Sequence, residues 1–512
     1  MKNLAKYILL LGFLAFGASS CNDELDLAPI SSISDGNYWK TPDQFDAFVS
    51  GIHSRFRSHT SAFQILGELR SDIFGTEPGS AGTFTGEATQ GVERAWLQTL
   101  DLDNPGVSNF GGFYTNIGQL NLLIDKLTTT SAVTAANKNY YLGIAHGMRA
   151  YYYFHLLRTW GDVVIQTEPV TSFDISNLAK PASKAADVMA LIKADMETSL
   201  SSFGSDYSFR NQKSYWSKAA TQMLKAEVSL WNAHRGGGAA DATVALNALN
   251  DVVANVPGLA LRPTFSSVFT AGAANKGNSE IIFAIRYLLN EATMPFTSTY
   301  YPQSALLANY WDSLENRKFN VNVENYGGLL RAPVKSSTYR LFNDLDSRKR
   351  FSITAAYNSA AGKFTLAGCF VKKYEGEQEQ GNRRYTNDYP IYRFADLLLM
   401  QAEAKIILGQ SPATEINLVR SRAFGTNYSL AVHAFPNQPV DADPREALLA
   451  ERLYEFVFEG KRWYDLRRLG DQYVYKYTLI KSAEAYKLLW PIDRNSLTNN
   501  RALTQNPGYP AF

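Results

Sequence analysis

Apolar side chains that recur every three or four positions, in one segment after another, constrain this chain of 512 residues more than any other feature. After Thr41-Pro42, an N-cap followed by proline at the first helical position, Phe45, Phe48, Val49, Ile52 and Phe56 fall on one helical face. The run from Phe113 to Leu127 repeats the pattern with Ile117, Leu120 and Ile124. Ala135 to Trp160 does so with Tyr141, Ile144, Met148, Tyr151, Tyr152 and His155, and stops at Gly161. Ser183 is the expected cap of a helix through Val188, Leu191, Ile192 and Met196. Ser214 opens a second, through Trp216, Ala219, Met223, Val228 and Trp231. Their starts lie 31 residues apart, near the roughly 34-residue period of tetratricopeptide-type repeats. Residues 393–408 and 414–424 form another expected pair, and Asp443-Pro444-Arg445-Glu446 is a capping box opening a helix expected to reach Gly470. The W-x2-L-G-x2-Y repeat signature is absent, so the spacing alone establishes helical hairpins and no more.

Two stretches break the pattern. Residues 75–110 and 289–390 are rich in Tyr, Asn, Ser and Gly and lack sustained helical spacing, while residues 281–287 (IIFAIRY) are short and β-prone. They read as large loops emerging from a helical scaffold, where function tends to sit. No Pro/Ser linker separates them from the helices, so residues 21–512 are expected to form one domain.

The first twenty-one residues, MKNLAKYILLLGFLAFGASSC, set the compartment. Lys2 and Lys6 precede an apolar run of about ten residues from Tyr7 to Phe16, too short to cross a hydrocarbon layer of about 30 Å. Ala18, Ser19 and Ser20 then lead to Cys21, which resembles a bacterial lipobox, with Ala18 where leucine is commoner. In such a motif residues 1–20 are removed and the cysteine carries the acyl chains, of which two or more anchor stably. Asn22-Asp23-Glu24-Leu25-Asp26 resembles the acidic stretch that routes Bacteroidetes lipoproteins to the outer face of the outer membrane. Removing the leader also removes its two lysines, leaving 48 basic and 48 acidic side chains. That balance argues against a nucleic-acid partner and suits an uncharged ligand.

Catalytic motifs are sparse. The six histidines, His53, His59, His146, His155, His234 and His433, form no H-E-x-x-H, and His155 reads as a core or interface residue. Gly236-Gly237-Gly238 lacks the Lys-Ser/Thr of a P-loop, and no G-x-S-x-G elbow occurs. Cys369, the only cysteine besides Cys21, reads as a structural thiol. With 48 acids many carboxylate pairs are possible, and their separation is a three-dimensional quantity, so a glycoside hydrolase stays an alternative. Glu455, Glu459, Arg462, Asp465 and Arg468, at helical spacings, are expected to form a structural ion-pair lattice on one helix.

Five strings in order carry a resemblance: RAYYYFHLLRTWGDVV (149–164), RPTFSSVF (262–269) with GNSEIIFAI (277–285), YPIYRFADLLLMQAEA (389–404), LLAERLYEFVFEGKRWYDLRRLG (448–470) and WPIDRNSLTNNRALTQNPGY (490–509). Together they resemble the SusD/RagB family across the chain. The resemblance implies a mostly α fold, SusD-like, with four tetratricopeptide-like helix pairs and large irregular insertions carrying short strands. It also implies a non-catalytic, lipid-anchored surface protein that captures nutrients, usually glycans, and lids a SusC-like TonB-dependent outer-membrane transporter. A peptide ligand is the alternative, since relatives serve peptide uptake too.

A sugar ring has apolar C–H faces and a hydroxyl rim, so its binder needs aromatic platforms beside polar side chains. Of eight tryptophans, six lie on helices, beside caps or in apolar runs, which leaves Trp96 and Trp311 in the loop regions. Around them stand Asp72, Asp101 and Asn104 on one side and Tyr300, Tyr301 and Tyr326 on the other. The family's ligand arc resembles this placement, and these eight residues are the candidate ligand contacts. Asp101, Asp103 and Asn104 would also suit a calcium ion, although an Asx turn is the plainer reading. No other cofactor is expected.

Overall fold

The structure, a computed structural model, describes residues 38–76, 84, 90–106, 110–170 and 179–512. Cys21 and the leader lie outside the described residues.

Eleven helices of eight or more residues are described: α1 Pro42–Ser58, α2 Thr60–Glu68, α3 Phe110–Thr129, α4 Ala135–Trp160, α5 Ala185–Phe203, α6 Lys218–Asn232, α7 Gly238–Asn255, α8 Phe394–Ile407, α9 Ala413–Phe424, α10 Pro444–Phe456 and α11 Arg462–Leu469. Each neighbour in the series α3–α9 packs on the next, α1 packs on α3, and α10 packs on α8. The packing of α11 against α10 and α2 brings the C-terminal segment back onto the N-terminal one. The fold is mostly helical with a few short strands.

Local chemistry accounts for the ends. At α1 the Gln44 side chain accepts from the Lys40 and Thr41 amides, and Pro42 supplies a preset φ. Helix α4 starts where Thr134 accepts from the Asn137 amide and ends at Gly161, whose φ is 80°. From Met148 to Trp160 every α4 side chain is buried, as expected for a helix enclosed on all sides. Two starts differ from the sequence reading. Ser183 pairs in a β-bridge with Val163, so Lys184 is the N-cap of α5. The amide of Ala220 is accepted by Ser217, so α6 begins after Ser217 rather than at Ser214.

Strands β1 Ile281–Ile285 and β8 Tyr389–Arg393 pair antiparallel inside the helical body. The 289–390 region is more regular than expected. It holds a four-stranded antiparallel sheet, ordered β3–β2–β4–β5, of Arg317–Lys318, Trp311–Asp312, Ile353–Ala360 and Lys363–Val371, and a small hairpin of β6 Glu377–Glu379 and β7 Asn382–Arg384. The turn at Ala361-Gly362 takes positive φ at both residues, as a tight hairpin requires. Cys369 is buried on β5.

The expected helix from 444 to 470 is broken in two. Phe458 and Gly460 have φ of 69° and 70°, and the buried Glu68 carboxyl accepts from both of their amides, holding the reversal. The charges are structural, but their lattice is not on one helix: among those five residues only Asp465 and Arg468 pair. Arg393, at the end of β8, instead uses all five N–H donors, on Glu280, Glu455, Glu459 and the Glu455 carbonyl, at 2.6–2.9 Å. Arg348 and Arg422 complete the shell of Glu455, and Lys373 donates to Glu459 at 2.5 Å. Burial alone would raise the Glu455 carboxyl, but Arg422, Arg393 and Arg348 overcome it and hold it well below its ordinary value. A second cluster ties Arg468 to Glu403 and Asp465, and Arg452 to Asp396 and Asp465.

Arg393→Met should cost about 3–5 kcal/mol in urea unfolding, because three buried carboxylates lose their shared cation; a loss under about 1 kcal/mol would contradict this role. Glu68 gives a pH test. Burial outweighs its amide donors and raises its carboxyl from 4.5 to about 8. A folded pKa above the unfolded one gives stability that is complete below about pH 4.5 and lost as the pH rises through about 8. Glu68→Gln should remove that component, so the fall in stability across this window becomes shallower; an unchanged slope would contradict the assignment.

Candidate functional site

The short strand β2 places Trp311 opposite Lys318 of β3 and Tyr357 of β4. The Phe364 ring, on β5, lies 5.9 Å from Trp311 and 6.3 Å from Tyr357, so three rings from three strands share one sheet face. None is fully covered: Trp311 and Tyr357 are half-buried and Phe364 is 37% exposed. The register slip between Ala356 and Tyr357 sets Tyr357 across from Leu366 and brings it to the edge of an adjoining cleft.

That cleft has a volume of about 550 Å³, lined by Leu314, Tyr339, Arg340, Asp344, Lys349, Arg350, Tyr357 and Leu366. Apolar groups form its wall and charged groups its rim. Lys349 donates to Asp344 at 2.6 Å and to the Phe342 carbonyl at 3.1 Å, and its ammonium sits 4.3 Å from the Tyr339 ring centre. The Lys349 ammonium holds the exposed Asp344 carboxyl below its ordinary value. Arg340 and Arg350 are exposed on the two short helical turns Ser336–Leu341 and Ser347–Ser352. Stacking faces, an acceptor and several N–H donors thus stand together in an open concavity.

Of the eight candidate contacts, Trp311 alone belongs to this aromatic face. Trp96 is 6% exposed and packs in the core. Tyr300 and Tyr301 are each 1% exposed, which leaves no face for a ligand. The Tyr300 hydroxyl bonds Gln64, and the Tyr301 hydroxyl accepts from the Tyr374 amide at 3.0 Å. Tyr326 is buried under Arg383 and donates to Glu375 at 2.8 Å. Asp72 accepts both arms of Arg462 at 2.8 Å, so its carboxylate staples the segment after α2 to α11. Asp101 forms an Asx turn, taking the amides of Asp103 and Asn104 and the Asn104 side chain. Asp103 pairs with Arg494. None of these lines the cleft.

The residues that sequence reasoning missed are Tyr357 and Phe364. Their signal is the stretch 353–371, two β-prone runs around Ala-Gly, which composition alone reads as loop.

The histidines lie away from this cleft. His53 is buried between the Val49 carbonyl and the Trp216 amide, and His59 bonds Tyr152; burial lowers each ring to about 4, so both are neutral. His155 lies in the core, as expected. Among the described residues no group of three or more His, Cys, Asp or Glu is placed to hold a metal ion, and no helix is long and apolar enough to cross a membrane.

Comparison with known proteins agrees with this architecture. Residues 203–509 match the model of the SusD family. The SusD-like protein P38 of Formosa agariphila is 25% identical over 99% of each chain, and the starch-binding protein SusD of Bacteroides thetaiotaomicron is 24% identical over 98% of each. Among solved structures, B. fragilis NanU superposes with a TM-score of 0.87 at 45% identity, over 94% of this chain and all of that one. With that identity over that length, and the family model covering more than half of the chain, this protein belongs to the SusD family.

Proposed function

We propose that the protein is a non-catalytic surface receptor for an oligosaccharide, which it binds on the face of Trp311, Tyr357 and Phe364. The observation that carries this reading is the partly exposed three-ring cluster beside a cleft with a charged rim. A pyranose can lay its C–H face on such rings while Asp344, Arg340 and Arg350 take its hydroxyls. Membership of a family that includes a protein named for starch binding supports a carbohydrate ligand. The non-catalytic reading is supported by the cleft's lining, which holds one carboxylate, Asp344, paired with Lys349, and no histidine, where glycoside hydrolysis uses a pair of carboxyl groups. Lipid anchoring at Cys21 to the outer membrane, and delivery to a TonB-dependent transporter, follow from the leader motif and the family resemblance.

A paired substitution tests the site. Trp311→Ala should weaken binding of a recognised oligosaccharide by about 2 kcal/mol, roughly thirty-fold, in titration calorimetry, with unfolding stability changed by less than about 0.5 kcal/mol. Trp96→Ala should do the reverse in kind, costing about 3–5 kcal/mol of stability as a core truncation. Undiminished affinity in Trp311→Ala, or retention of short peptides by a protein that binds no glycan, would contradict the proposal.

A further inference from the structure

A second, much smaller cavity lies deep in the helical body, where the C-terminal part of α4 meets β8 and the turn before α11. Its volume is about 20 Å³, and His155, Arg158, Tyr389, Gly460 and Lys461 are among its walls. Besides Arg158 Nε and the ion-paired Asp465 Oδ2, two polar atoms there have no hydrogen-bond partner among the described residues: His155 Nδ1 and the Tyr389 hydroxyl. Both side chains are at least 98% buried, so bulk solvent does not reach them. Leaving each unmade would cost about 1–3 kcal/mol.

The hydrogen on His155 can be placed. Arg158 Nη2 lies 2.6 Å from His155 Nε2. A guanidinium only donates, so Nε2 accepts and the neutral ring carries its hydrogen on Nδ1. Burial, with Arg158 and Lys461 nearby, keeps the ring neutral. The Tyr389 hydroxyl points at Gly460: a Cβ there would come within 2.6 Å of it. Glycine at 460 therefore keeps the space beside the hydroxyl open.

What fills the space must accept from Nδ1–H and bond a hydroxyl, and must carry no charge. Arg158 is paired with Glu227 at 2.6 Å and Lys461 with Asp396 at 2.8 Å, while Glu459 and Asp465 already hold Arg393 and Arg468. A cation would face Arg158 and Lys461; an anion would face Glu227 and Glu459. A volume of about 10–15 Å³ seats one water, and such a water needs two to four polar partners. We propose that this cavity is a structural water site, in which one buried water accepts from His155 Nδ1–H and bonds the Tyr389 hydroxyl, joining α4 to β8. The site is separate from the aromatic face and does not rest on the proposed ligand.

Crystals of the protein and of Tyr389→Phe, at a resolution that reveals ordered water, test this. The expected result is one density peak within hydrogen-bond distance of both His155 Nδ1 and the Tyr389 oxygen, lost or displaced in Tyr389→Phe. An empty cavity, or a direct bond from either atom to another protein group, would overturn the proposal. Nitrogen-15 NMR of the His155 ring is an independent measure. A neutral ring protonated on Nδ1 is expected, and one protonated on Nε2 or on both nitrogens would overturn it.

Discussion

The contact on which the rest of the structure depends is Arg393 with its three carboxylates. Glu280 comes from the start of the β1 segment, Glu455 from the end of α10 and Glu459 from the turn before α11, so a single guanidinium fixes parts of the chain far apart in sequence. Removing such charges from water costs several kcal/mol per ion, so a buried lattice is not in itself a gain in stability. What it adds is definition. Each acid is met by a cation of fixed position, and β8, α9, α10 and the 455–459 segment can then pack in one arrangement.

That arrangement explains where the partly exposed aromatic face sits. The chain leaves the helical body after β1 and returns to it at β8, so everything between is an excursion whose two ends are paired to one another. Arg348, inside the excursion and held by its neighbour Asp346, reaches back to Glu451 and Glu455 and ties the middle of the excursion to the same lattice. The sheet that carries Trp311, Tyr357 and Phe364 is therefore mounted on a rigid base, which suits a surface that must meet a ligand without first being ordered.

Much of the scaffold was legible in the sequence, because its signals are local. Helix α4 could be bounded from Ala135 to Trp160 since its apolar spacing and its terminating glycine lie within the same segment. The break at Phe458–Gly460 was not legible, since it depends on Glu68, almost 400 positions away, capping the turn. Distance misled the ligand assignments too. Asp72 looked available until Arg462, 390 residues on, occupied it, and Tyr300 and Tyr301 looked like loop aromatics until Gln64 and Phe74 met the first and Tyr326 and Tyr385 the second. Trp311 was legible as a candidate because it stands outside the helical pattern. Its companions were hidden by the bulge at Ala356/Tyr357, which breaks the two-residue alternation that would have marked the hairpin.

The most direct test is a crystal structure of the protein with a bound oligosaccharide. A sugar ring lying flat on Trp311 or Phe364, with its hydroxyls at the rim of the adjoining cleft, is the predicted result. A sugar seated on another surface, with these rings still facing solvent, would contradict it.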